Sequence, residues 1–271
     1  MAAEERALAG GLRRQPTGRQ RTVVVTGSAS GIGAATKRRL EADGNRVIGV
    51  DLHAAEVVAD LGSTEGRNQM VDRVTALSGG VLDAVIACAA MDGPEPRGVS
   101  VTYFGAVATL EQLRSQLARG HAPRAVAVSS LASLHPVDAG IVQACLADDE
   151  DGAVAAAANK GVQIYASAKA ALCRWVRRSA VAPAWAQAGI PLNAIAPGTV
   201  VTPATERLRN SPKGRAILDE MVPMPMGGWL QPEDIAELLA WLVSPVCVGM
   251  TGQVVFIDGG GDAVLRGDRI W

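Results

Sequence analysis

Apolar and polar positions change periodicity repeatedly along this chain. From Thr22 onward, short β-branched and apolar runs recur, separated by segments of helical length that carry one apolar face. Continuous apolar runs are typical of parallel strands covered on both faces, and the segments between them supply the crossover helices. The pattern predicts an α/β fold with a doubly wound parallel sheet and helices on both faces. The predicted strands are 22–26, 46–50, 57–59, 82–87, 124–129, 191–196 and 253–257.

Helices are predicted between the strands, and two segments depart from the alternation. The first helix is predicted at 32–43, and a late one begins at Pro232. Residues 135–160 form a long connection with an acidic patch and an alanine run, which predicts an added helix. Residues 203–226 are apolar and rich in methionine, which indicates either a lid over an apolar substrate or a surface helix packed on the core. The sequence supports these two interpretations equally.

Length and composition favour one catalytic domain. With 271 residues, 48% of them hydrophobic, the chain can bury one large core, and we expect a single dinucleotide-binding domain over 21–271. Residues 1–20 are basic and rich in turn formers, so a mobile extension is expected there. The net charge of -1 and the pI near 6.3 argue against a nucleic-acid partner.

Targeting and metal signals are missing from the sequence. No apolar run is long enough to cross a bilayer, and the N-terminus lacks the apolar stretch of a secretory signal, so no membrane association and a cytoplasmic location are expected. The four cysteines form no CxxC pair and have no ligand spacing with the three histidines. No metal site is predicted, and a small soluble ligand is the expected partner.

A glycine-rich turn follows the first strand and opens the first helix. Such a turn lets the backbone approach a pyrophosphate and directs the N–H groups of a helix N-terminus toward its charge, as in Rossmann-type sheets. A turn that binds nothing is the alternative, disfavoured by an acidic residue at the end of the next strand. The residues predicted to hold the dinucleotide are Gly27, Ser28, Ala29, Ser30, Gly31, Ile32 and Gly33.

Asp51, followed by Leu52, ends the second predicted strand. A carboxylate there can accept hydrogen bonds from both ribose hydroxyls of an adenosine, and it would repel the additional 2′-phosphate of NADP. No lysine or arginine immediately follows to neutralise it. The sequence therefore predicts NAD as the cofactor, with strand termination by an ordinary turn aspartate as the competing interpretation.

Tyr165 and Lys169 lie four residues apart in the run Tyr-Ala-Ser-Ala-Lys, so a helix places them on one face. A free phenol titrates near pH 10, and an adjacent ammonium favours its ionised form, as does an oxidised nicotinamide. The phenol can then exchange a proton with an alcohol or ketone. Ser130, just past the fifth strand, is the predicted hydroxyl that holds the substrate oxygen, and Ser129 is its rival.

These motifs together resemble the short-chain dehydrogenase/reductase family. The resemblance runs from about Thr22 to the C-terminal region and rests on the family patterns TGxxxGxG and YxxxK, on Asn-Ala-Ile-Ala-Pro-Gly at 193–198 and on Ile-Asp-Gly-Gly at 257–260. It implies a Rossmann-type fold, with Ser130, Tyr165 and Lys169 catalytic and Lys169 also contacting the nicotinamide ribose. Further cofactor contacts implied by the resemblance fall at Ala89, Ala90, Pro197, Gly198, Val200 and Thr202.

A narrower resemblance is to the bacterial 3α-hydroxysteroid dehydrogenase/carbonyl reductase group. It rests on residues 31–36, 55–61 and 103–106 and on the insertion before Tyr165. It implies NAD-linked oxidation of a steroid or other apolar alicyclic alcohol, adenine contacts from Asp60 and Leu61, and a homodimer or homotetramer.

Two departures from the family pattern concern its cofactor and proton-relay positions. Cys-Ala-Ala at 88–90 replaces Asn-Ala-Gly, so a β-carbon stands at Ala90 where a glycine would admit the cofactor. Thr102 replaces the fourth catalytic residue, an asparagine that holds a water beside the lysine, and its hydroxyl is expected to serve in that place.

The sequence is compatible with three hypotheses on function. The leading hypothesis is an NAD-dependent enzyme that interconverts a secondary alcohol and a ketone. The second is a dinucleotide-binding regulatory or scaffolding protein with little turnover, which the asparagine replacement favours and the intact catalytic residues disfavour. The third is a nucleotide-sugar epimerase, disfavoured by the glycine spacing and the short C-terminal portion.

Overall fold

The computed structural model describes residues 19–268. Seven parallel strands form one sheet in the order β3-β2-β1-β4-β5-β6-β7. This confirms the predicted α/β class, and each predicted strand is present with ends shifted by at most two residues. The strands are β1 Thr22–Thr26, β2 Arg46–Asp51, β3 Val57–Val58, β4 Ala84–Ala87, β5 Arg124–Val128, β6 Leu192–Pro197 and β7 Val254–Ile257.

Helices connect the strands and cover the sheet. Between β4 and β5, Ser100–Gly105 is a π-helix, and Leu131–Leu134 after β5 is a 3₁₀-helix. The α-helices are α1 Gly31–Ala42, α2 Thr64–Ser78, α3 Ala106–Leu117, α4 Ala139–Leu146, α5 Glu150–Ala157, α6 Gln163–Ser179, α7 Pro183–Ala186, α8 Pro203–Arg209, α9 Pro212–Met221, α10 Pro232–Val243 and α11 Gly261–Arg266. Among helices within residues 19–268, none is long and apolar enough to cross a membrane.

Alternate residues of the strands supply two separate cores. In β1, Val24 faces the core that includes α2, α3 and α6, whereas Val23 and Val25 face the core formed with α1 and α10. All three valines have no exposed surface. Two-sided burial explains why the strands are continuous apolar runs in the sequence.

The 135–160 connection contains two helices where the sequence predicted one. Asp138 caps α4 through the N–H of Ile141, and Asp149 caps α5 through the N–H of Gly152. Between the helices, Asp148 takes a left-handed conformation with φ of 59°, which ends the first one. Within this insertion, α4 packs against α6, the helix of Tyr165, and α5 packs against α4.

A buried polar group closes the end of the sheet at which the strands begin. The Asp83 carboxylate has no exposure and accepts hydrogen bonds from the backbone N–H groups of Thr22 (2.8 Å) and His121 (2.7 Å). The buried Arg21 guanidinium donates to the carbonyl oxygens of Asp83 and Val243. Burial lowers the pKa of Arg21 to about 10, and the charge of Asp83 opposes that shift.

Candidate active site

A large cleft lies at the carboxyl ends of the strands, where the strand order reverses between β1 and β4. Its volume is about 1030 Å³. Ligands of open α/β sheets bind at such a switch point. The turn after β1, the loop after β4, the end of β5, one face of α6 and the residues of α8 and α9 all contribute to its walls.

Lys169 joins α6 to the end of β5. Its side chain is 1% exposed, and its Nζ donates to the carbonyl oxygen of Val128, the last residue of β5, at 2.6 Å. The same Nζ lies 5.5 Å from the centre of the Tyr165 ring. Tyr165 also shares a hydrogen bond with the Ser130 hydroxyl. The structure thus brings Ser130, Tyr165 and Lys169 together along one wall of the cleft.

Burial dominates the ionisation of these groups. It raises the pKa of the Tyr165 phenol to about 12, against the opposing effect of the hydrogen bond with Ser130. It lowers the pKa of Lys169 to about 8. Among the chain's own groups, burial outweighs the hydrogen bond that favours the ionised phenol. Burial also raises the pKa of the Cys88 thiol to about 11, so this neighbour stays neutral near pH 7.

The two serines after β5 have different surroundings. Ser129 is 3% exposed, and its hydroxyl donates to the backbone oxygen of Lys169 at 3.1 Å and lies 3.0 Å from the Cys173 sulfur. Ser130 is more exposed and accepts a hydrogen bond from the N–H of Ala132 while contacting Tyr165. The geometry favours Ser130 over its rival as the hydroxyl available to a substrate.

Thr102 lies in the π-helix and does not line the cleft. Its side chain is fully buried, and its hydroxyl donates to the Met91 carbonyl (3.0 Å) and accepts from the Met91 N–H (3.1 Å). A threonine hydroxyl has one donor, and here Met91 takes it. The Thr102 hydroxyl therefore holds the loop after β4, and its expected place at a water beside Lys169 stays a prediction.

The glycine turn forms the concave surface predicted for a dinucleotide. Gly27 and Gly31 have φ values of +69° and +50°, the left-handed region that favours glycine. A β-carbon at Gly33 would stand 2.0 Å from the Gly27 carbonyl oxygen. No side chain within residues 19–268 caps α1, because Ser30 makes no such hydrogen bond, so the first N–H groups of α1 remain for an anion.

Most of the predicted cofactor residues line this cleft, and two do not. The hydroxyl of Ser28 is buried without a hydrogen-bond partner among the described residues and is directed toward Gly49, where a β-carbon would stand 2.5 Å from it. Ala29 is likewise outside the lining but donates its N–H to Asp51. Those that line the cleft are Gly27, Ser30, Gly31, Ile32, Gly33, Asp51, Leu52, Asp60, Leu61, Ala89, Ala90, Tyr165, Lys169, Pro197, Gly198, Val200 and Thr202.

Asp51 lies beside the turn, at the end of β2. Its carboxylate accepts hydrogen bonds from the N–H groups of Ala29 (2.9 Å) and Leu52 (2.7 Å). These bonds fix the carboxylate and leave lone pairs free for ribose hydroxyls. Within residues 19–268, no lysine or arginine forms an ion pair with it.

The sequence motifs did not indicate several residues of the cleft. Asp92 and Arg97 follow β4, and Arg97 forms an ion pair with Asp60. His135 follows the 3₁₀-helix, and Thr199 follows the Pro-Gly pair after β6. Each lies in a segment that leaves the carboxyl end of a strand, which was the available signal. Among the described residues, no cluster suited to a metal ion is present.

The residues of the cleft fit a nicotinamide dinucleotide. The glycines of the turn leave open space, and a side chain at Gly33 would collide with the backbone of Gly27. The N-terminus of α1 presents N–H donors, and Asp51 supplies fixed acceptors near the expected ribose. Across the cleft, Ser130, Tyr165 and Lys169 lie where the reacting end would be. This donor and acceptor set matches phosphate, ribose and carbonyl chemistry in that order.

Comparison with known proteins agrees with this geometry. The family model described as Enoyl-(Acyl carrier protein) reductase matches residues 27–262. The 3-alpha-hydroxysteroid dehydrogenase/carbonyl reductase of Comamonas testosteroni is 39% identical over 254 residues, covering 90% of this chain and 97% of the relative. The cis-4-hydroxycyclohexanecarboxylate dehydrogenase of Sinomonas cyclohexanicum is 28% identical, with 90% and 98% covered.

A solved structure shows the same arrangement of the chain. The crystal structure of the 3-alpha-hydroxysteroid dehydrogenase from Pseudomonas sp. B-0831, complexed with NADH, superposes with a TM-score of 0.86 at 38% identity. It covers 91% of this chain and 99% of that one. By its sequence, its fold and the contents of its cleft, the chain belongs to the short-chain dehydrogenase/reductase family, oxidoreductases that act on hydroxyl or carbonyl groups.

Proposed function

We propose that this protein is an NAD-dependent oxidoreductase that interconverts a secondary alcohol and a ketone on a steroid or other apolar alicyclic substrate. The observation that carries the proposal is the grouping of Ser130, Tyr165 and Lys169 in a cleft that is also lined by apolar side chains of α8 and α9. The two named relatives that act on ring alcohols, from Comamonas and Sinomonas, support the substrate class.

The side chains of Ser130, Tyr165 and Lys169 divide the work between them. Ser130 would hold the substrate oxygen, and the Tyr165 phenol would donate its proton to that oxygen in reduction or accept it in oxidation. Lys169 holds its ammonium against β5 through Val128, which keeps a positive charge beside the phenol. A bound nicotinamide supplies the hydride exchange and, when oxidised, a second positive charge. Since burial holds the phenol at a high pKa, this added charge is needed for ionisation near neutral pH.

Asp51 supports NAD rather than NADP. Its carboxylate is held by two backbone N–H groups at the expected ribose position, and a phosphate there would meet a fixed negative charge. The solved relative with bound NADH supports the same preference.

The substrate side of the cleft supports an apolar ring. Its lid segment, residues 203–226, forms helices α8 and α9 and contributes apolar side chains. Charged side chains are also exposed in the same lining, among them Asp92, Arg97 and Arg207, so a substrate polar at one end also fits. The apolar lid residues that line the cleft are Leu208, Ile217, Leu218, Met221 and Val222.

A panel of cyclic secondary alcohols with NAD, followed by absorbance of the reduced nicotinamide, tests the function. Tyr165→Phe should lower turnover roughly 10²- to 10⁴-fold, because it removes the proton-transferring group, while the dissociation constant for NAD stays the same. The chain has two tyrosines, so Tyr103→Phe is the matched control: Tyr103 is buried away from the cleft. No turnover on any panel member by a protein that binds NAD would instead favour the regulatory function.

The cofactor preference has its own test. Asp51→Asn keeps the shape and removes the charge that disfavours a 2′-phosphate, so the ratio of kcat/KM with NAD to that with NADP should fall at least tenfold, a change of about 1.4 kcal/mol. Asp43→Asn, at the end of α1, is the control, because Asp43 pairs with Arg39 outside the cleft. An unchanged ratio would count against the assignment.

A homodimer or homotetramer in the cytoplasm completes the proposal. Apolar side chains remain on the surface of α10 and the segment after it, with Trp241 46% and Val246 62% exposed. Such residues commonly lie at contacts between copies. Sedimentation velocity measures the association state, and a monomer at micromolar concentration would refute this part.

A further inference from the structure

The lid segment, residues 203–226, contacts the rest of the protein at both ends. Thr202, just before α8, packs against Gly31, where a β-carbon would stand 3.1 Å from the threonine methyl. At the far end, the N–H of Met226 donates to the carbonyl oxygen of Gly259 at 3.1 Å. Between these points, α9 crosses the substrate side of the cleft with Ile217 and Met221 more than a third exposed.

A hydrogen bond joins the end of α9 to His135, the residue after the 3₁₀-helix. The His135 ring nitrogen Nε2 lies 2.8 Å from the backbone carbonyl oxygen of Met221, the last residue of α9. A carbonyl oxygen can only accept, so Nε2 must carry the proton. Carbonyls in the last turn of a helix lack a partner within the helix, and His135 satisfies this one.

His135 is fixed to the catalytic residues through a short rigid segment. The 3₁₀-helix Leu131–Leu134 begins directly after Ser130, whose side chain accepts the N–H of Ala132, and the N–H of His135 bonds to the Ala132 carbonyl oxygen at 3.1 Å. The 3₁₀-helix packs against α6, which carries Tyr165 and Lys169. The position of the His135 ring is therefore set by the same elements that set the catalytic groups.

We infer that His135 is a positioning residue that holds α9 closed over the substrate through its hydrogen bond to Met221. It would not exchange a proton with the substrate. Loss of the bond raises the population in which α9 is open, so the substrate contacts of the lid weaken while the dinucleotide side of the cleft keeps its structure. The kinetic part of this inference rests on the proposed function, and the opening of the lid does not.

Three variants separate the hydrogen bond from other effects of the ring. His135→Phe removes the donor, whereas His135→Gln places an amide N–H at about the distance of Nε2. His121→Phe is the matched control, since His121 lies at the opposite end of the sheet, where its backbone N–H bonds to Asp83. If His135→Phe does not fold, as judged by circular dichroism and thermal unfolding, His135→Asn replaces it, because its amide is too short to reach Met221.

The rate of trypsin cleavage after Lys213 and Arg215 in α9 measures the opening of the lid independently of catalytic activity. We expect His135→Phe to raise the cleavage rate and the KM for the ring alcohol by roughly three- to tenfold, the range of a lost hydrogen bond, with the NADH dissociation constant unchanged. His135→Gln should restore both. The inference would be overturned if His135→Phe were cleaved at the rate of the wild type. It would also be overturned if His135→Phe and His135→Gln showed equal increases in cleavage rate and KM. Faster cleavage with no turnover in any variant would overturn the proposed function alone.

Discussion

At the scale of single residues, the ionisation of Tyr165 depends on charges the sequence does not place. Burial is the main cause that raises the pKa of the phenol to about 12, and the negative charge of Asp92 acts in the same direction. The loop that carries Asp92 follows β4 and is distant from Tyr165 in sequence. The helical spacing correctly predicted the pairing of Tyr165 with Lys169, but burial is a tertiary property that spacing does not reveal.

Asp92→Asn should move the acidic limb of the pH profile for alcohol oxidation to lower pH. Removal of the negative charge lowers the pKa of Tyr165, so the phenol ionises earlier. The measurement is log kcat/KM against pH, with Glu95→Gln in the same loop as the control. A limb that stays in place, or moves toward alkaline pH, would contradict this electrostatic coupling.

The two serines after β5 offer a second test at this scale. Ser130→Ala should lower kcat/KM roughly 10²-fold, because it removes the hydroxyl that we propose to hold the substrate oxygen. Ser129→Ala should have a much smaller effect, since the Ser129 hydroxyl bonds to the backbone oxygen of Lys169. Steady-state kinetics of the two variants compares them directly, and a larger loss for Ser129→Ala would reverse the assignment.

At the scale of elements, apolar runs located the seven strands, because the central strands of the sheet are buried on both faces and the edge strands are also apolar. The insertion was harder to predict, since its break into α4 and α5 depends on the left-handed Asp148 and on two aspartate caps. Alanine-rich sequence alone favours one continuous helix. Likewise, the commitment of Thr102 to Met91 follows from the path of a loop, which has no periodicity.

An ion pair between α2 and α5 adds to the apolar packing that attaches the insertion to the core. Arg67 is 7% exposed in its side chain and donates to Glu150 at 2.5 Å and to the Leu61 carbonyl oxygen at 3.2 Å. Glu150→Ala should lower the free energy of unfolding by about 2 kcal/mol, because the buried guanidinium loses its partner. Urea unfolding measures this. Asp151→Ala, one residue on, should change stability by less than about 1 kcal/mol, and equal losses would exclude the ion pair as the cause.

At the scale of the whole molecule, the two ends of the sheet have separate tasks. The carboxyl ends of the strands carry the cleft, whereas the amino ends carry Arg21 and Asp83, which bond to backbone groups of several elements. The alternation of strands and helices predicted this polarity of the cleft. The buried ionic group was not predicted, because its members are far apart in sequence.

Asp83→Asn should therefore weaken the fold and spare the chemistry. The variant leaves Arg21 buried without its opposing charge, which should lower the free energy of unfolding by about 3 kcal/mol, while kcat/KM at 25 °C stays within about twofold. Urea unfolding and steady-state kinetics are measured on one preparation, with the exposed Asp72→Asn as the control. A parallel fall in kcat/KM would show that the two ends are coupled.

The enclosed ammonium of Lys169 has a consequence for how the protein exchanges protons with its coenzyme. Its pKa of about 8 lies below the ordinary 10.5. A cationic oxidised nicotinamide bound beside Lys169 and Tyr165 should lower the pKa of both groups and release a fraction of a proton from the pair, whereas the neutral reduced form should not. Calorimetric titrations in two buffers of different ionisation enthalpy count the protons released, and equal counts for both redox forms would refute the idea. Because binding of the oxidised coenzyme releases protons, its affinity would rise with pH. The pH of the surroundings would therefore shift the balance between oxidation and reduction of the substrate.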